Sequence, residues 1–275
     1  RLVGKAGLSI KEFAELLTKT QVLRLQPYNF SLLETLRLEA GQLVLLKEHL
    51  ERLSASARYF NYPLNLTLLE QQLQLLAEKL AKGSWRVRLT LASNGRFNLS
   101  CTALSPVKPT EGFYWPSWLK CASPLSASPL TTSQTPSPLK TALPEPVKIR
   151  CQIAKTPIDS SNFLHFHKTT TRDIYTCYQP SSSKTDVFDA LLFSVNEKGQ
   201  QQATEFTMGN LVVEIDQQLY TPPVESGLLA GTLRSYLLNQ GAIKEKPLSL
   251  EEVTTAKKVW FINGLRGWLE VELIY

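Results

Sequence analysis

The chain has 275 residues, of which 43% are hydrophobic, so it can bury a sizeable core in one large domain or two ordinary ones. Its net charge of +6 is scattered, because Lys and Arg are interspersed with acids and form no basic block or aromatic-interleaved basic stripe. No apolar run approaches the ~18 residues that a membrane span needs. We therefore expect neither nucleic acid nor a membrane as a partner.

The four cysteines, Cys101, Cys121, Cys151 and Cys177, are far apart and form no C-x-x-C pair. We therefore expect no metal site and no disulfide framework. This cysteine usage fits a reducing compartment and favours a cytoplasmic protein. The chain begins with Arg1 and not with methionine, which we interpret as a trimmed N-terminus or a fragment of a longer polypeptide.

The N-terminal part predicts a connector followed by a strand. Residues 9–20 open with a serine and a glutamate at capping-box spacing, which predicts a short helix within a connector of residues 1–27. Residues 30–38 are typical of a strand, and Gly41 predicts a hairpin turn into the next strand.

Two helices and a second hairpin complete a predicted small α/β domain of residues 28–108. The helices are predicted over residues 47–60 and 66–82, and the hairpin over residues 85–104 with its turn at Asn94 and Gly95. Helical spacing in the first helix places His49, Arg52 and Ser56 near one another on its flanking surface.

Composition changes after this domain. Residues 109–146 are rich in Pro, Ser and Thr, which indicates a flexible linker or a surface insertion. Residues 147–275 are predicted to form a larger, β-rich domain. Its predicted strands are V-K-I-R-C-Q-I, D-A-L-L-F-S-V, N-L-V-V-E-I, Q-L-Y-T, V-W-F-I and W-L-E-V-E-L-I-Y, with helices over residues 229–239 and 249–257. The elements predict an α/β (α+β) fold.

The most informative stretch is F-L-H-F-H-K-T-T-T-R at residues 163–172, which centres on Lys168. A free lysine amine has a pKa of about 10.4, so it becomes nucleophilic at neutral pH only where burial or nearby cations lower that pKa. Lysines in such pockets form Schiff bases. The decapeptide alone also fits a strand end in which the threonines are merely β-formers.

Three later segments carry further candidate chemistry. The segment A-T-E-F-T-M-G-N-L-V-V contains Glu205 and Asn210 at a predicted hairpin. The segment G-L-L-A-G-T-L-R predicts a helix that opens at Gly231, whose first amides could hold a phosphate. The segment F-I-N-G-L-R-G-W predicts a strand that runs into a Gly-rich turn. Each of these segments alone is more often structural than functional.

Together these motifs resemble the class IV pyridoxal-phosphate enzymes, which include branched-chain aminotransferases, D-amino acid aminotransferases and aminodeoxychorismate lyases. The upstream pattern L-E-T-L-R…G-x-x-x-L-L-x-x-H-L-x-R-L-x-x-S-A-x-x-F matches the same group, so the resemblance extends from about residue 28 to the C-terminus outside the Pro/Ser-rich insertion. Within the group, H-K-T-T-x-R and F-I-N-G-L-R-G-W are most similar to lyase domains at the C-terminal end of fused para-aminobenzoate synthases. The resemblance implies a D-amino acid aminotransferase-like fold, a homodimer and an upstream aminodeoxychorismate synthase domain.

The resemblance also implies residue roles. Lys168 would hold pyridoxal 5'-phosphate and later move protons at the substrate carbon. Glu205 would pair with the pyridine nitrogen, and Arg52 would bind the phosphate. The other implied cofactor-binding residues are Asn210, Thr232, Leu233, Gly264 and Leu265. The implied substrate-binding residues are Arg88 and Arg266, and Thr35 would help to relay a proton as a second catalytic residue.

The implied reaction converts 4-amino-4-deoxychorismate to 4-aminobenzoate and pyruvate. Thr35 favours this reaction, because the branched-chain aminotransferases usually have a glycine at its position. The alternatives are an aminotransferase acting on branched-chain or D-amino acids, and a non-catalytic domain that supports an upstream synthase. The sequence departs from the family where Ser93 and Asn94 stand in place of an arginine and a glycine.

Overall fold

The computed structural model describes residues 29–104, 148–180 and 186–274. The predicted helix at residues 9–20 and the Pro/Ser-rich segment at residues 109–146 lie outside these ranges.

A small antiparallel sheet with two helices forms the N-terminal part. Its strands are β1 (Leu32–Glu39), β2 (Gln42–Leu43), β3 (Ser84–Leu91) and β4 (Phe97–Ala103), which pair in the order β2-β1-β3-β4. The helices are α1 (Leu46–Phe60) and α2 (Leu66–Lys79). The predicted strands and helices are confirmed, although α2 ends at Lys79, three residues earlier than expected.

Leucines on one face of β1 pack against the two helices. Leu32, Leu36 and Leu38 alternate along this face, as the two-residue period of a strand requires, and all three are fully buried. Their cluster includes Leu53 of α1 and Leu73 of α2. The opposite face of β1 carries Thr35 and remains available to line a site.

The C-terminal part is built on a larger, mixed sheet of eight strands. The strands are β5 (Ile149–Ile153), β6 (Val187–Val195), β7 (Gln201–Phe206), β8 (Asn210–Ile215), β9 (Gln218–Thr221), β10 (Lys244–Glu245), β11 (Val259–Asn263) and β12 (Gly267–Ile274), which pair in the order β10-β9-β8-β11-β12-β5-β6-β7. Strand β7 also pairs with β8, between Glu205 and Asn210, so the strands from β8 to β7 close into a ring.

Short helices flank this sheet. They are α3 (Asp173–Thr176), α4 (Thr232–Asn239) and α5 (Leu250–Thr255). Helix α4 begins at Thr232, three residues later than predicted, because the preceding Gly231 is extended and serves as its N-cap. Glu205 lies near the end of β7, two residues before the turn at residues 207–209, and not at the start of a hairpin as the sequence pattern predicts.

The fold class is thus confirmed as mixed α/β, with a small N-terminal sheet domain and a larger β-rich domain. The exact domain limits at residues 28–108 and 147–275 remain predictions. Among the helices that the structure describes, none combines the length and the hydrophobicity needed to cross a membrane.

The leucines of α2 test the small core. Leu73 is fully buried, so Leu73→Ala should lower the free energy of unfolding by about 2–5 kcal/mol through lost contacts and a cavity. Leu75, on the same helix, is 57% exposed, and Leu75→Ala should change the free energy of unfolding by no more than about 0.5 kcal/mol. Denaturant unfolding of both variants measures the difference. Equal losses would contradict the assignment of α2's buried face.

Candidate active site

A cavity of about 290 Å³ lies where the two sheets meet. The small sheet contributes residues of β1 and β3 to its wall. The larger part contributes the segment around Lys168, the turn after β7, the start of α4 and the turn between β11 and β12. The motifs that were far apart in sequence therefore converge on one pocket.

Backbone contacts with the edge of β1 fix the position of Lys168. The Leu33 amide donates to the Lys168 carbonyl at 2.9 Å, and the Thr170 amide donates to the Ser31 carbonyl at 2.8 Å. The Thr170 hydroxyl in turn accepts a hydrogen bond from the Ser31 amide at 3.0 Å. The threonines after the lysine thus attach this segment to the small sheet, and they are not simply β-formers within a long strand.

The pocket makes the Lys168 amine less basic than an ordinary lysine. Burial, together with the positive charges of Arg52 and Arg172, lowers the pKa of Lys168 to about 8, although Glu34 and Glu205 oppose the shift. A larger fraction of the amine is therefore neutral near physiological pH. This is the property that a Schiff-base lysine requires.

Arg52 and His49 are held by a buried carboxylate that sequence analysis did not single out. Glu34, which is 1% exposed, accepts hydrogen bonds from Arg52 Nε at 2.9 Å and from Arg52 Nη2 at 2.6 Å. Its Oε2 also lies 2.6 Å from His49 Nδ1. Burial opposes ionisation of Glu34, but Arg52 and His49 outweigh it and lower the pKa of this carboxyl to about 2. The carboxylate therefore stays charged and orients both side chains.

The flank of α1 that carries these residues is an interior surface. The sequence pattern placed His49, Arg52 and Ser56 together, which is confirmed, but it placed them on the surface. His49 and Ser56 are 2% and 4% exposed. The reason is that each has a buried polar partner: His49 turns inward to Glu34, which interrupts the leucines on the helix-facing side of β1, and Ser56 Oγ lies 3.0 Å from His167 Nδ1.

Two glycines shape the end of the pocket beside Arg52. A Cβ at Gly231 would lie 1.9 Å from Asn210 Oδ1, and a Cβ at Gly264 would lie 2.6 Å from Thr232 Oγ1. Arg52 Nη1 donates to the Ala230 carbonyl at 3.2 Å, next to the start of α4. A larger residue at either glycine would therefore clash with Asn210 or Thr232, so both glycines are needed for the close packing at this end of the pocket.

The amides of Thr232 and Leu233 lie in the first turn of α4, where helical N–H groups have no partner within the helix and favour an anion. The Leu233 side chain is fully buried in the core, so only its amide is available to a ligand. In the β11–β12 turn the Leu265 amide already donates to Asn263 Oδ1 at 3.0 Å. Gly264 is therefore the better placed of the two residues predicted there.

Glu205 lies in the same pocket and is 3% exposed. Tyr175 donates its hydroxyl to Glu205 Oε1 at 3.0 Å, and Asn210 Nδ2 donates to Oε2 at 3.2 Å. Burial raises the pKa of Glu205 to about 8, against the lowering effect of Tyr175. A basic ring nitrogen brought against this carboxyl would gain a charge-assisted hydrogen bond.

The substrate-facing wall is cationic. Thr35 of β1 lies directly opposite Arg88 of β3 in the sheet register, and both line the pocket. Arg266 and Arg172 line it as well. Within the described ranges none of these three arginines forms an ion pair with a carboxylate, in contrast to Arg52. The wall is therefore suited to carboxylate groups of a ligand.

Sequence reasoning missed Glu34, Tyr175 and Arg172. Glu34 had a signal, because a charged residue between leucines on the buried face of a strand requires a partner. Arg172 stood at the end of the lysine stretch but received no role. Tyr175 gave no signal, since its contact with Glu205 joins residues 30 positions apart.

Residues 31–274 match the family model described as amino-transferase class IV. The chain belongs to the class IV aminotransferase family. This family is dependent on pyridoxal 5'-phosphate.

Individual relatives include both lyases and aminotransferases. The aminodeoxychorismate lyase of Saccharomyces cerevisiae is 29% identical over 136 residues, which cover 43% of this chain and 35% of that protein. The chain thus spans about a third of the length of the curated relatives that it matches. A Mesorhizobium loti structure, provisionally named an amino-acid aminotransferase, has a TM-score of 0.68 at 27% identity and covers 90% of this chain and 100% of its own. The 4-amino-4-deoxychorismate lyase of Pseudomonas aeruginosa has the same fold, with a TM-score of 0.64 at 21% identity over 90% of this chain and 83% of its own.

The residues present fit the family's cofactor. The donor set contains an amine of lowered pKa, a buried carboxyl for a ring nitrogen, and an arginine beside a helix N-terminus for a phosphate. The glycine positions allow the start of α4 and the β11–β12 turn to pack closely at this end of the pocket.

The shifted pKa of Lys168 predicts its reactivity in the cofactor-free protein. Acetylation of its amine should rise with pH and reach half its maximum at about pH 8, because the amine is protonated and unreactive below that value. Peptide mass spectrometry after acetic anhydride treatment measures this, with exposed Lys198 as the internal reference for reagent. A midpoint near the ordinary lysine value of about 10.4 would show that the pocket does not lower the pKa.

Proposed function

We propose that this class IV protein is a pyridoxal-phosphate-dependent lyase that converts 4-amino-4-deoxychorismate to 4-aminobenzoate and pyruvate. The observation that carries the proposal is the position of Thr35, whose side chain shares the pocket with Lys168 and lies opposite Arg88. A substrate with two carboxylates and a departing enolpyruvyl group suits a wall that combines a hydroxyl with arginines that form no ion pair in the described part of the chain.

Each end of the pocket would serve a different part of the cofactor. Arg52, His49 and Thr232 would bind the phosphate, together with the amides of Thr232 and Leu233. Glu205, with Asn210 beside it, would hold the ring nitrogen in its protonated form. When bound, pyridoxal 5'-phosphate supplies an electron sink for charge that develops at the substrate carbon bearing the amine.

Two side chains would move protons in the proposed reaction. Lys168 Nζ removes the proton from the ring carbon that bears the amine, and elimination then breaks the bond between the ring and the enolpyruvyl oxygen. The Thr35 hydroxyl relays a proton to the methylene carbon of the enolpyruvyl group, which leaves as pyruvate. The ring becomes aromatic. It has lost one proton to Lys168, and the departing enolpyruvyl group has gained one through Thr35. Arg88 and Arg266 would hold the carboxylates in this geometry.

Amino transfer is the second candidate function. The Mesorhizobium loti protein, named for amino transfer, is 27% identical over nearly the whole chain. Both activities use the lysine, the buried glutamate and the phosphate site, so these residues do not separate them. Thr35 separates the two activities, because amino transfer leaves no enol carbon that must be protonated. An assay for 4-aminobenzoate release beside a keto-acid amino-transfer assay tests the two candidates directly.

A homodimer in the cytoplasm and an upstream aminodeoxychorismate synthase domain complete the proposal. They are supported by the similarity of H-K-T-T-x-R and F-I-N-G-L-R-G-W to the lyase domains of fused synthases. Light scattering of the purified protein would test the dimer.

Replacing the Thr35 hydroxyl should separate chemistry from binding. Thr35→Val keeps the shape and the strand propensity, so we expect 4-aminobenzoate formation to fall by about 10²- to 10⁴-fold while the visible absorbance of the bound cofactor is unchanged. Thr35→Ser retains the hydroxyl and should recover most of the rate. Undiminished lyase activity in the valine variant would make Thr35 structural and remove the main support for a lyase.

Loss of the Arg52 guanidinium should weaken cofactor binding. Arg52→Met removes a charged partner of the phosphate, and we expect the dissociation constant of pyridoxal 5'-phosphate to rise by about thirtyfold, equivalent to about 2 kcal/mol. Arg58→Met, at the exposed end of the same helix, provides the control. Titration of the apoproteins by absorbance measures both. Identical affinities in the two variants would remove Arg52 from the phosphate site.

A further inference from the structure

Arg172 is a cation in the pocket wall to which neither the motifs nor the proposed reaction assigns a role. Its Nη2 donates to the Thr207 carbonyl at 2.6 Å, and its guanidinium lies 4.8 Å from the centre of the Tyr175 ring. A guanidinium has five N–H donors, so one backbone hydrogen bond leaves others for a ligand. The contacts hold Arg172 in place without neutralising its charge.

The turn that holds Arg172 is itself fixed by a fully buried acid, Asp189 of β6. Asp189 Oδ1 accepts a hydrogen bond from the Thr207 hydroxyl at 2.6 Å, and Oδ2 accepts one from the Met208 amide at 3.0 Å. The Ala190 amide donates to Oδ1 at 2.7 Å. The carboxylate thus binds the side chain of one turn residue and the backbone of the next, which defines the path of the turn.

The same turn also supports Arg266. Asn263 Nδ2 donates to the Met208 carbonyl at 3.1 Å, and Asn263 Oδ1 accepts from the Leu265 and Arg266 amides at 3.0 and 2.7 Å. Arg172 is therefore attached to the turn directly, and Arg266 through one asparagine. A single buried carboxylate lies behind two cations of the substrate wall.

A carboxylate is a costly residue at this position if its only role is to fill the core. Burial of an ionised group is unfavourable unless donors surround it, and an apolar residue of similar volume is often neutral or stabilising in its place. All the hydrogen-bond partners given above for Asp189 are donors, which matches an acceptor-only group. Burial lowers the pKa of the Arg266 guanidinium, and the negative charge of Asp189 opposes that shift.

We propose that Arg172 binds a carboxylate of the substrate and that Asp189 is the positioning residue that presents it, by fixing the turn at residues 207–209. This inference deepens the proposed function and rests on it only in requiring a substrate that bears a carboxylate. Asp189 touches no reacting atom and acts through the turn.

The test measures binding of maleate, a simple dicarboxylate, to the holoenzyme by calorimetry. We expect Arg172→Met to weaken maleate binding at least tenfold, since a charge-assisted contact is lost. Asp189→Asn keeps the shape but places an amide NH₂ against the Met208 N–H, and should weaken binding about fivefold. The double variant should be no weaker than Arg172→Met, because both changes remove one coupled interaction. Every variant should still bind the cofactor, which its visible absorbance measures.

The control is Ser194→Ala, which removes a buried, hydrogen-bonded side chain from the same strand, β6, away from the pocket. It should leave maleate binding unaltered. If Asp189→Asn does not fold, Thr207→Val removes the hydroxyl that reaches Asp189, and Thr207→Ser restores it. The inference requires weaker maleate binding in the first and recovery in the second.

Several results would overturn the inference: no maleate binding by the parent protein, parental affinity in Arg172→Met, or strictly additive losses in the double variant. A lowered melting temperature with unchanged maleate affinity in Asp189→Asn would make Asp189 purely structural and would also overturn it. Failure of the proposed lyase function is distinguishable, because absent 4-aminobenzoate formation with the expected maleate results leaves the carboxylate site intact.

Discussion

The ion pair between Glu34 and Arg52 connects the parts of the molecule that form the pocket. Glu34 belongs to the small sheet and Arg52 to the helix that covers it, and Arg52 also donates to the Ala230 carbonyl of the larger part. His49 continues the connection, since it contacts Glu34 through Nδ1 and lies 3.4 Å from the Thr232 hydroxyl through Nε2. Separation of the two sheets here would leave the pairing of Glu34 with Arg52 and His49 intact, but it would break the contacts of these two side chains with Ala230 and Thr232.

Burial shifts two titratable groups of the pocket in opposite directions and brings both pKa values to about 8, for Lys168 from above and for Glu205 from below. Near that pH each group is only partly ionised in the cofactor-free protein. A ligand that brings an aldehyde to the lysine and a basic ring nitrogen to the glutamate would relieve both penalties. The pocket is thus prepared electrostatically for the cofactor that its family uses.

Local patterns were sufficient to predict most helices and strands and to single out Lys168, which lines the pocket. Alternating leucines predicted β1, helical spacing predicted α1, and the Asn94–Gly95 turn predicted the hairpin of β3 and β4. Long-range pairing was beyond them: the bond between Tyr175 and Glu205 and the support of Arg172 by the turn after β7 depend on how separate elements meet. The inward orientation of His49 was missed for the same reason, because the partner that buries it lies on another element.

The two-residue period of β1 explains how one strand serves two purposes. Glu34 points toward α1 and organises the end of the pocket suited to a phosphate, whereas the next residue, Thr35, points to the opposite face beside Arg88. Since successive side chains of a strand alternate between faces, Thr35 can vary without disturbing the Glu34 network. In the proposed lyase, the side chain that selects the reaction lies on the face of β1 opposite to Glu34 and its partners.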